Sequence, residues 1–168
     1  MLVVPNGVTP CTSLKPRTQH DLPIAMNIFK DNEHYSTGFQ LDRDTLLAQV
    51  KYNNDGLVPA IAQQYDTKEV LMLAWMNAEA LRETLQTGRV CYWSRSRNAF
   101  WRKGESSGQV QVLKSARIDC DGDTLLLEVD QTGPACHTGR RHCFFYKFDG
   151  NQVVIDGDVM IPPDELYK

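Results

Sequence analysis

The hydrophobic pattern changes period several times along the chain. Residues 1–38 carry Pro5, Pro10, Pro16 and Pro23 and keep no sustained period, which predicts a loose or partner-bound arm. From Leu41 a helical spacing sets in. Leu41, Leu46, Leu47 and Val50 fit a short amphipathic helix, stopped by the turn-prone Asn53-Asn54-Asp55-Gly56. Two apolar runs, 57–64 and 69–76, flank the polar Tyr65-Asp66-Thr67-Lys68 and predict a β-hairpin. Asn77 suits the cap of a second helix, with Leu81 and Leu85 four apart on one face and Gly88 placed to stop it. Strand-like runs follow at 90–94, 110–118, 124–129, 144–148 and 153–155, each break containing Gly, Asp, Asn or Pro. Many strands and about two helices predict one β-rich α+β domain over 39–168, with the arm 1–38 ahead of it.

Composition sharpens this picture by exclusion. Of 168 residues, 42% are hydrophobic and 23% charged, as in ordinary soluble domains and unlike disordered or collagen-like chains. The net charge of −3 provides no field strong enough to draw the whole molecule to nucleic acid or anionic lipid. The nearly apolar run 70–76 is far short of the roughly 20 residues of a membrane helix. Five cysteines (Cys11, Cys91, Cys120, Cys136, Cys143) cannot all pair, and the proline-rich start shows no basic stretch followed by an apolar block. A reducing, cytoplasmic location is therefore expected, with metal or catalytic roles for clustered cysteines. Cys91, inside an apolar run, reads as core.

Three clusters carry candidate chemistry. In Asp119-Cys120-Asp121-Gly122-Asp123 three carboxylates alternate, so an extended segment would gather three hard oxygen ligands suited to Mg²⁺ and turn the Cys120 thiol to the opposite face. The later Gly and Glu positions of an EF-hand loop are missing, and a plain polar turn is the competing reading. The second cluster is Cys136-His137-Thr138-Gly139-Arg140-Arg141-His142-Cys143. Together with Cys120 it offers three soft thiolates and two imidazoles, a zinc set that spacing alone leaves open between a structural and a hydrolytic role. The third runs from Tyr92-Trp93-Ser94-Arg95-Ser96-Arg97 through Phe100-Trp101-Arg102-Lys103-Gly104-Glu105. Residues 89–103 hold five basic residues and no acid, which suits phosphate, or single-stranded RNA stacked on the aromatics, or merely a hairpin with a solvated face.

The four motifs Trp93-Ser94-Arg95-Ser96-Arg97, Trp101-Arg102-Lys103-Gly104-Glu105-Ser106-Ser107-Gly108, Asp119-Cys120-Asp121-Gly122-Asp123 and Cys136-His137-Thr138-Gly139 followed by Cys143-Phe144 together closely resemble the phosphoribosyl-AMP cyclohydrolases of histidine biosynthesis. The match spans roughly 57–145, with order and spacing kept. The resemblance implies a hydrolase that adds water at C6 of the adenine ring and breaks the N1–C6 bond. It implies Mg²⁺ on Asp119, Asp121 and Asp123, and zinc on Cys120, Cys136 and Cys143. It also implies an intertwined homodimer, with Cys120 of one chain meeting Cys136 and Cys143 of the other, so that an isolated monomer lacks a complete site. His142 stands where relatives often carry another residue, and is expected to point away from the zinc.

On this reading His137 is the candidate for protonating the departing N1, since an imidazole titrates near working pH. Arg95, Arg97 and Lys103 are candidates for the substrate's phosphates, with Trp93, Ser94 and Glu105 at the base or ribose. Zinc deaminases also attack C6 of adenine, but their H-x-E and P-C-x-x-C signature is absent. The rival reading from another class is a non-catalytic zinc module binding RNA or nucleotides through residues 92–103.

Overall fold

In the computed structural model, which describes residues 27–167, the hairpin predicted over 57–76 is the centre of a six-stranded mixed sheet. β1 (Val58–Gln64) and β2 (Val70–Met76) pair antiparallel, with Val58 opposite Met76. β1 buries alternate residues, Val58, Ala60 and Ala62 among them, as a strand with one face on the core should. The helix predicted from Leu41 shortens to α1 (Arg43–Leu47), whose cap Asp42 accepts the Thr45 N–H at 2.8 Å. The second helix, α2 (Ala78–Thr87), has both predicted stops. Asn77 accepts the Ala80 N–H at 2.8 Å, and Gly88 ends the helix in the left-handed region at φ 71°. Its buried face is Ala80, Leu81 and Thr84, laid against β2, β3 (Cys91–Ser94) and β5 (Gln111–Ile118).

β4 (Ala99–Arg102) is an edge strand that the hydrophobic pattern did not predict. It has four residues, three of them exposed, and basic neighbours hide any alternation. β6 (Leu125–Gln131) completes the order β4-β3-β2-β1-β6-β5. The β1–β6 pair is parallel and the other neighbours in the sheet are antiparallel. The sheet curls until its two sides touch. Val90 N–H donates to the Gln111 carbonyl at 3.1 Å, and Leu113 N–H to that of Gly88 at 2.8 Å, so the free edge of β5 meets the segment entering β3. That closure pairs backbone groups an open edge would expose. β7 (Tyr146–Asp149) and β8 (Gln152–Ile155) form a separate hairpin whose residues are all exposed. The architecture is the β-rich α+β class predicted, with two α-helices and a curled mixed sheet.

The core contains a polar chain among its aliphatic residues. Tyr92 Oη donates to Gln111 Oε1 at 2.7 Å, and Gln111 Nε2 donates to Gln131 Oε1 at 2.8 Å. Gln131 Nε2 in turn donates to the Thr132 carbonyl at 2.6 Å, and all three side chains are buried. Each polar atom placed away from water in this chain finds a partner, which is the condition for burying it cheaply.

The first 26 residues of the predicted arm, with Cys11 and Met26, lie outside the described residues. Of the remainder, Ile28 and Phe29 are buried, and Ile28 N–H donates to Gln49 Oε1 at 2.9 Å. Among the described residues no helix is long and apolar enough to cross a membrane.

Candidate active site

Where β6 ends and β5 begins, a hollow of about 270 Å³ opens. Cys136, His137 and Cys143 line it, with Arg97, Lys103 and Glu105 opposite in sequence and Met72, Trp101 and Gln109 as further wall. The loop after β6 brings the two cysteines together by folding on itself. Ala135 N–H donates to the Arg141 carbonyl at 3.0 Å, Cys136 N–H to that of Arg140 at 3.1 Å, and Gly139 N–H to that of Cys136 at 3.0 Å. Gly139 sits at φ 76°, and a Cβ there would lie 1.8 Å from the Ile161 carbonyl oxygen, so the tail beyond β8 packs where no side chain fits. That tail carries Leu166 and Tyr167 to the wall of the hollow.

Arg141 fastens the loop to the central hairpin. Its guanidinium donates to Gln64 Oε1 at 2.9 Å, to Glu69 Oε2 at 3.1 Å and to the Gly133 carbonyl at 3.2 Å. Cys143 N–H donates to the Leu71 carbonyl of β2 at 2.7 Å. Thr138 Oγ1 lies 3.1 Å from Cys136 Sγ as donor. Burial pushes the Cys143 thiol up to about 12, and the adjacent Cys136 adds to the rise. Two neighbouring thiols held by a rigid loop are a donor set that a thiophilic cation could use. His137 is exposed at the mouth. His142 is half-buried, does not line the hollow, and leaves Nδ1 buried without a hydrogen-bond partner.

The acidic cluster lies at the opposite end of the same two strands. Gln111 pairs with Gln131 at the hollow's end and Ile118 with Leu125 at the other. Those seven residue steps of strand correspond to roughly 23 Å. The three carboxylates do converge, with an oxygen of each of Asp119, Asp121 and Asp123 within 4.8 Å of the others. They do so by a different route from the one expected. Residues 119–123 are a bend and not an extended segment, because Asp119 Oδ1 accepts the N–H groups of Gly122, Asp123 and Thr124 at 3.0 to 3.1 Å. Burial raises the Asp119 carboxyl, and these hydrogen bonds outweigh it and hold it below its usual range. Gly122 takes φ 84° and packs under the Phe29 ring, whose atoms come within 2.4 to 2.7 Å of where a Cβ would stand. Lys51 N–H donates to the Gly122 carbonyl at 2.7 Å. Cys120 is exposed. It lies a strand's length from Cys136 and Cys143 and does not join them within one chain.

The aromatic and basic run is divided by the β3–β4 hairpin. Arg97, Lys103 and Glu105 face the hollow, whereas Trp93, Ser94 and Arg95 line a shallow groove with Leu73 and Trp75, which Trp101 also touches. Arg95 lies 5.0 Å over the Trp75 ring, and Arg97 Nε donates to Ser94 Oγ at 3.2 Å. The stretch does not form an open stacking platform. Tyr92 is wholly buried, Lys103 is buried, and Arg102 is paired with Glu83 of α2 at 2.6 and 2.9 Å, an acid that lies outside the run. Arg141, Gln109 and Leu166 were not foreseen as parts of the site. Arg141 stood inside the cysteine motif, but Gln109 and Leu166 carry no local signal.

A sequence profile of the family described as phosphoribosyl-AMP cyclohydrolase matches residues 72–145. The chain is 59% identical over 140 residues to a phosphoribosyl-AMP cyclohydrolase of Hydrogenovibrio crunogenus, covering 83% of this chain and 95% of that protein. It is 62% identical over 140 residues to one from Alcanivorax borkumensis, covering 83% and 99%. A third, from Magnetococcus marinus, is 66% identical over 122 residues, covering 72% and 94%.

Proposed function

The chain belongs to the phosphoribosyl-AMP cyclohydrolase family, and on that premise we propose how its two ends carry out the hydrolysis of a cyclic amidine in histidine biosynthesis. Water adds at C6 of phosphoribosyl-AMP and the N1–C6 bond breaks, giving the phosphoribosylformimino aminoimidazole carboxamide ribotide. The observation that carries the reading is the convergence of Cys136, Cys143 and His137 in one hollow with Arg97 and Glu105. The adjacent thiols fit a soft dication. When bound, zinc would supply the Lewis acidity that makes a water nucleophilic near neutral pH.

The chain's own groups do the rest. His137, at the mouth beside Cys136, gives a proton to the departing N1 as the tetrahedral carbon collapses. Arg97 offers its guanidinium to a substrate phosphate, and Glu105 accepts from a ribose hydroxyl or the base. Asp119, Asp121 and Asp123 fit a hard divalent cation such as Mg²⁺, which would supply positive charge facing another phosphate. The loop's exposure suits a ligand shared with substrate.

The third thiolate, Cys120, argues for a homodimer. A strand's length separates it from the cysteine pair in its own chain, so one zinc held by all three requires Cys120 from a second copy. The hairpin of β7 and β8 supports this too. It exposes Tyr146, Phe148, Val153 and Ile155, and an isolated two-stranded hairpin is marginal in water without a covering surface. Trp93, Ser94 and Arg95 lie on the outer groove, and their contact with substrate requires that face to be closed by the second copy. The cytoplasm, which keeps thiols reduced, is the proposed compartment.

The test is turnover of phosphoribosyl-AMP by purified protein, followed by near-UV absorbance after metal stripping, after zinc, and after zinc plus magnesium. Activity should require zinc and rise with magnesium. A folded, zinc-loaded protein without turnover would refute the reading.

A further inference from the structure

The loop that carries Cys136 and Cys143 is held in part by Gln64, a neutral side chain that none of the four motifs contains. Gln64 is the last residue of β1, is 5% exposed, and does not line the hollow. Its Oε1 accepts two hydrogen bonds, one from Arg141 Nη2 at 2.9 Å and one from the Gln131 N–H at 3.2 Å. An amide oxygen has two lone pairs, so both are in use, and a flipped amide would set its own N–H groups against two donors. The two donors flank one segment. Gln131 closes β6 just before the loop, and Arg141 stands two residues before Cys143. One oxygen thereby pins the loop at its start and near its end.

Both donors are themselves fixed. The Gln131 side chain is buried, accepts from Gln111 Nε2 at 2.8 Å and donates to the Thr132 carbonyl at 2.6 Å. The Arg141 guanidinium also reaches the Gly133 carbonyl at 3.2 Å and Glu69 Oε2 at 3.1 Å. The Arg141 and Glu69 side chains are 29% and 35% exposed, so water screens that ion pair. The bond to Gln64 lies on the buried side, where a hydrogen bond from a charged donor counts for more than one in water. Losing the Gln64 oxygen would leave the guanidinium one partner short and the Gln131 N–H buried without one.

We infer that Gln64 is a positioning residue for the hydrolysis: through one carbonyl oxygen, shared by Arg141 and the Gln131 backbone, it holds the Cys136–Cys143 loop against the end of β1. The inference rests on the reading of the hollow as the active site. Gln64 stands outside that hollow, so it acts on the reaction only through the loop it holds. Without it the loop opens locally while the sheet around it stays closed.

The experiment uses the full chain, stripped of metal, and reads its thiols one by one. Iodoacetamide labelling is resolved by peptide mass spectrometry in the wild type, Gln64→Met and Gln64→Glu. Cys136 lies in the clamped loop, and Cys91, wholly buried in β3, reports on the rest of the core. Gln64→Met keeps the length and removes the acceptor. Cys136 labelling should then speed up about tenfold or more while Cys91 changes less than about twofold, because only the loop opens. Gln64→Glu keeps an oxygen for Arg141 and Gln131 and should hold Cys136 within about threefold of the wild-type rate. On zinc-loaded protein, Gln64→Met should lower kcat about fivefold or more and leave KM within about twofold. Equal acceleration at Cys136 and Cys91 would reduce Gln64 to general stability and overturn the proposal. Unchanged labelling of Cys136, or a wild-type kcat in Gln64→Met, would overturn it too. Should Gln64→Met not fold, Arg141→Met tests the same contact from its other side by the same readings. A wild-type chain without turnover refutes the reading of the hollow instead, while the labelling still decides the clamp, so the two failures are told apart.

Discussion

Where β6 ends, Cys136 is buried in a loop that Arg141 fastens to the central hairpin, that Cys143 ties to β2, and that the C-terminal tail packs against. Where β6 begins, Asp119, Asp121 and Asp123 stand exposed in a bend that Asp119 itself closes, buttressed by Phe29 and the Lys51 backbone. The contrast follows from the side chains. Thiols are weakly hydrated and lose little on burial as neutral groups, so a dry framework can hold them in place. Carboxylates are strongly hydrated and would be costly to bury unpaired, so they stay in water and rely on backbone hydrogen bonds for their geometry. The first end is a built receptacle and the second is a surface offered outward, with Cys120 presented beside it.

The strongest test of that contrast is to break each end and mix the halves. Cys120→Ala and Cys136→Ala should each reduce turnover to background. Dissociating and reassociating the two variants in equal amounts should restore up to about one quarter of wild-type sites, since half the dimers are mixed and each carries one intact site. No recovery would exclude a site shared between copies. Next in size, the two strained glycines should respond unequally. Gly139→Ala drives a Cβ into the Ile161 carbonyl and should cost about 3 kcal/mol or more. Gly122→Ala has a similar φ but meets only the movable Phe29 ring, and should cost about 1–2 kcal/mol. Chemical denaturation compares them directly, and equal costs would mean that the hollow's end is not the stiffer.

A smaller, selective effect is expected for Asp121→Asn. It should abolish the stimulation by magnesium while zinc content, measured by elemental analysis, stays unchanged. The last effect concerns pH. Burial raises Cys91 to about 11 and Cys143 to about 12 in the metal-free chain, against an ordinary value of 9.0. Above pH 9 the unfolded chain loses these protons while the folded one keeps them, so stability should fall from pH 9 toward 12. Restoring zinc should remove the Cys143 part, because a bound thiolate has already lost its proton. Denaturation midpoints at pH 8 and pH 10, with and without zinc, measure both.

Apolar runs and helical spacing between turn residues located seven of the eight strands and both α-helices among the described residues, even β7, β8 and α1, which bury no face. β4 escaped because it has only four residues and its basic neighbours hide any alternation. The motif residues of the site were legible by type and spacing, but their allotment was not. Arg95 and Arg97 are two apart, yet the β3–β4 turn sends one to the outer groove and the other to the hollow. Lys103 stands in sequence among the phosphate candidates, and nothing local announces that it is buried where Gly104 turns the following loop. Gln111 and Gln131 carry no local signal, and only pairing across β5 and β6 makes them partners within the core. These are all long-range arrangements, which a local pattern does not encode.

The contact of Phe29 with Gly122 bears on how the protein is cut for laboratory use. Motif coverage and hydrophobic pattern both recommend starting an expressed fragment near residue 39. Such a fragment keeps every proposed ligand and the whole sheet, yet it discards the ring that presses on the acidic bend from outside. On the proposed reading, any change in its response to magnesium would then reflect where the scissors fell and not a property of the whole chain.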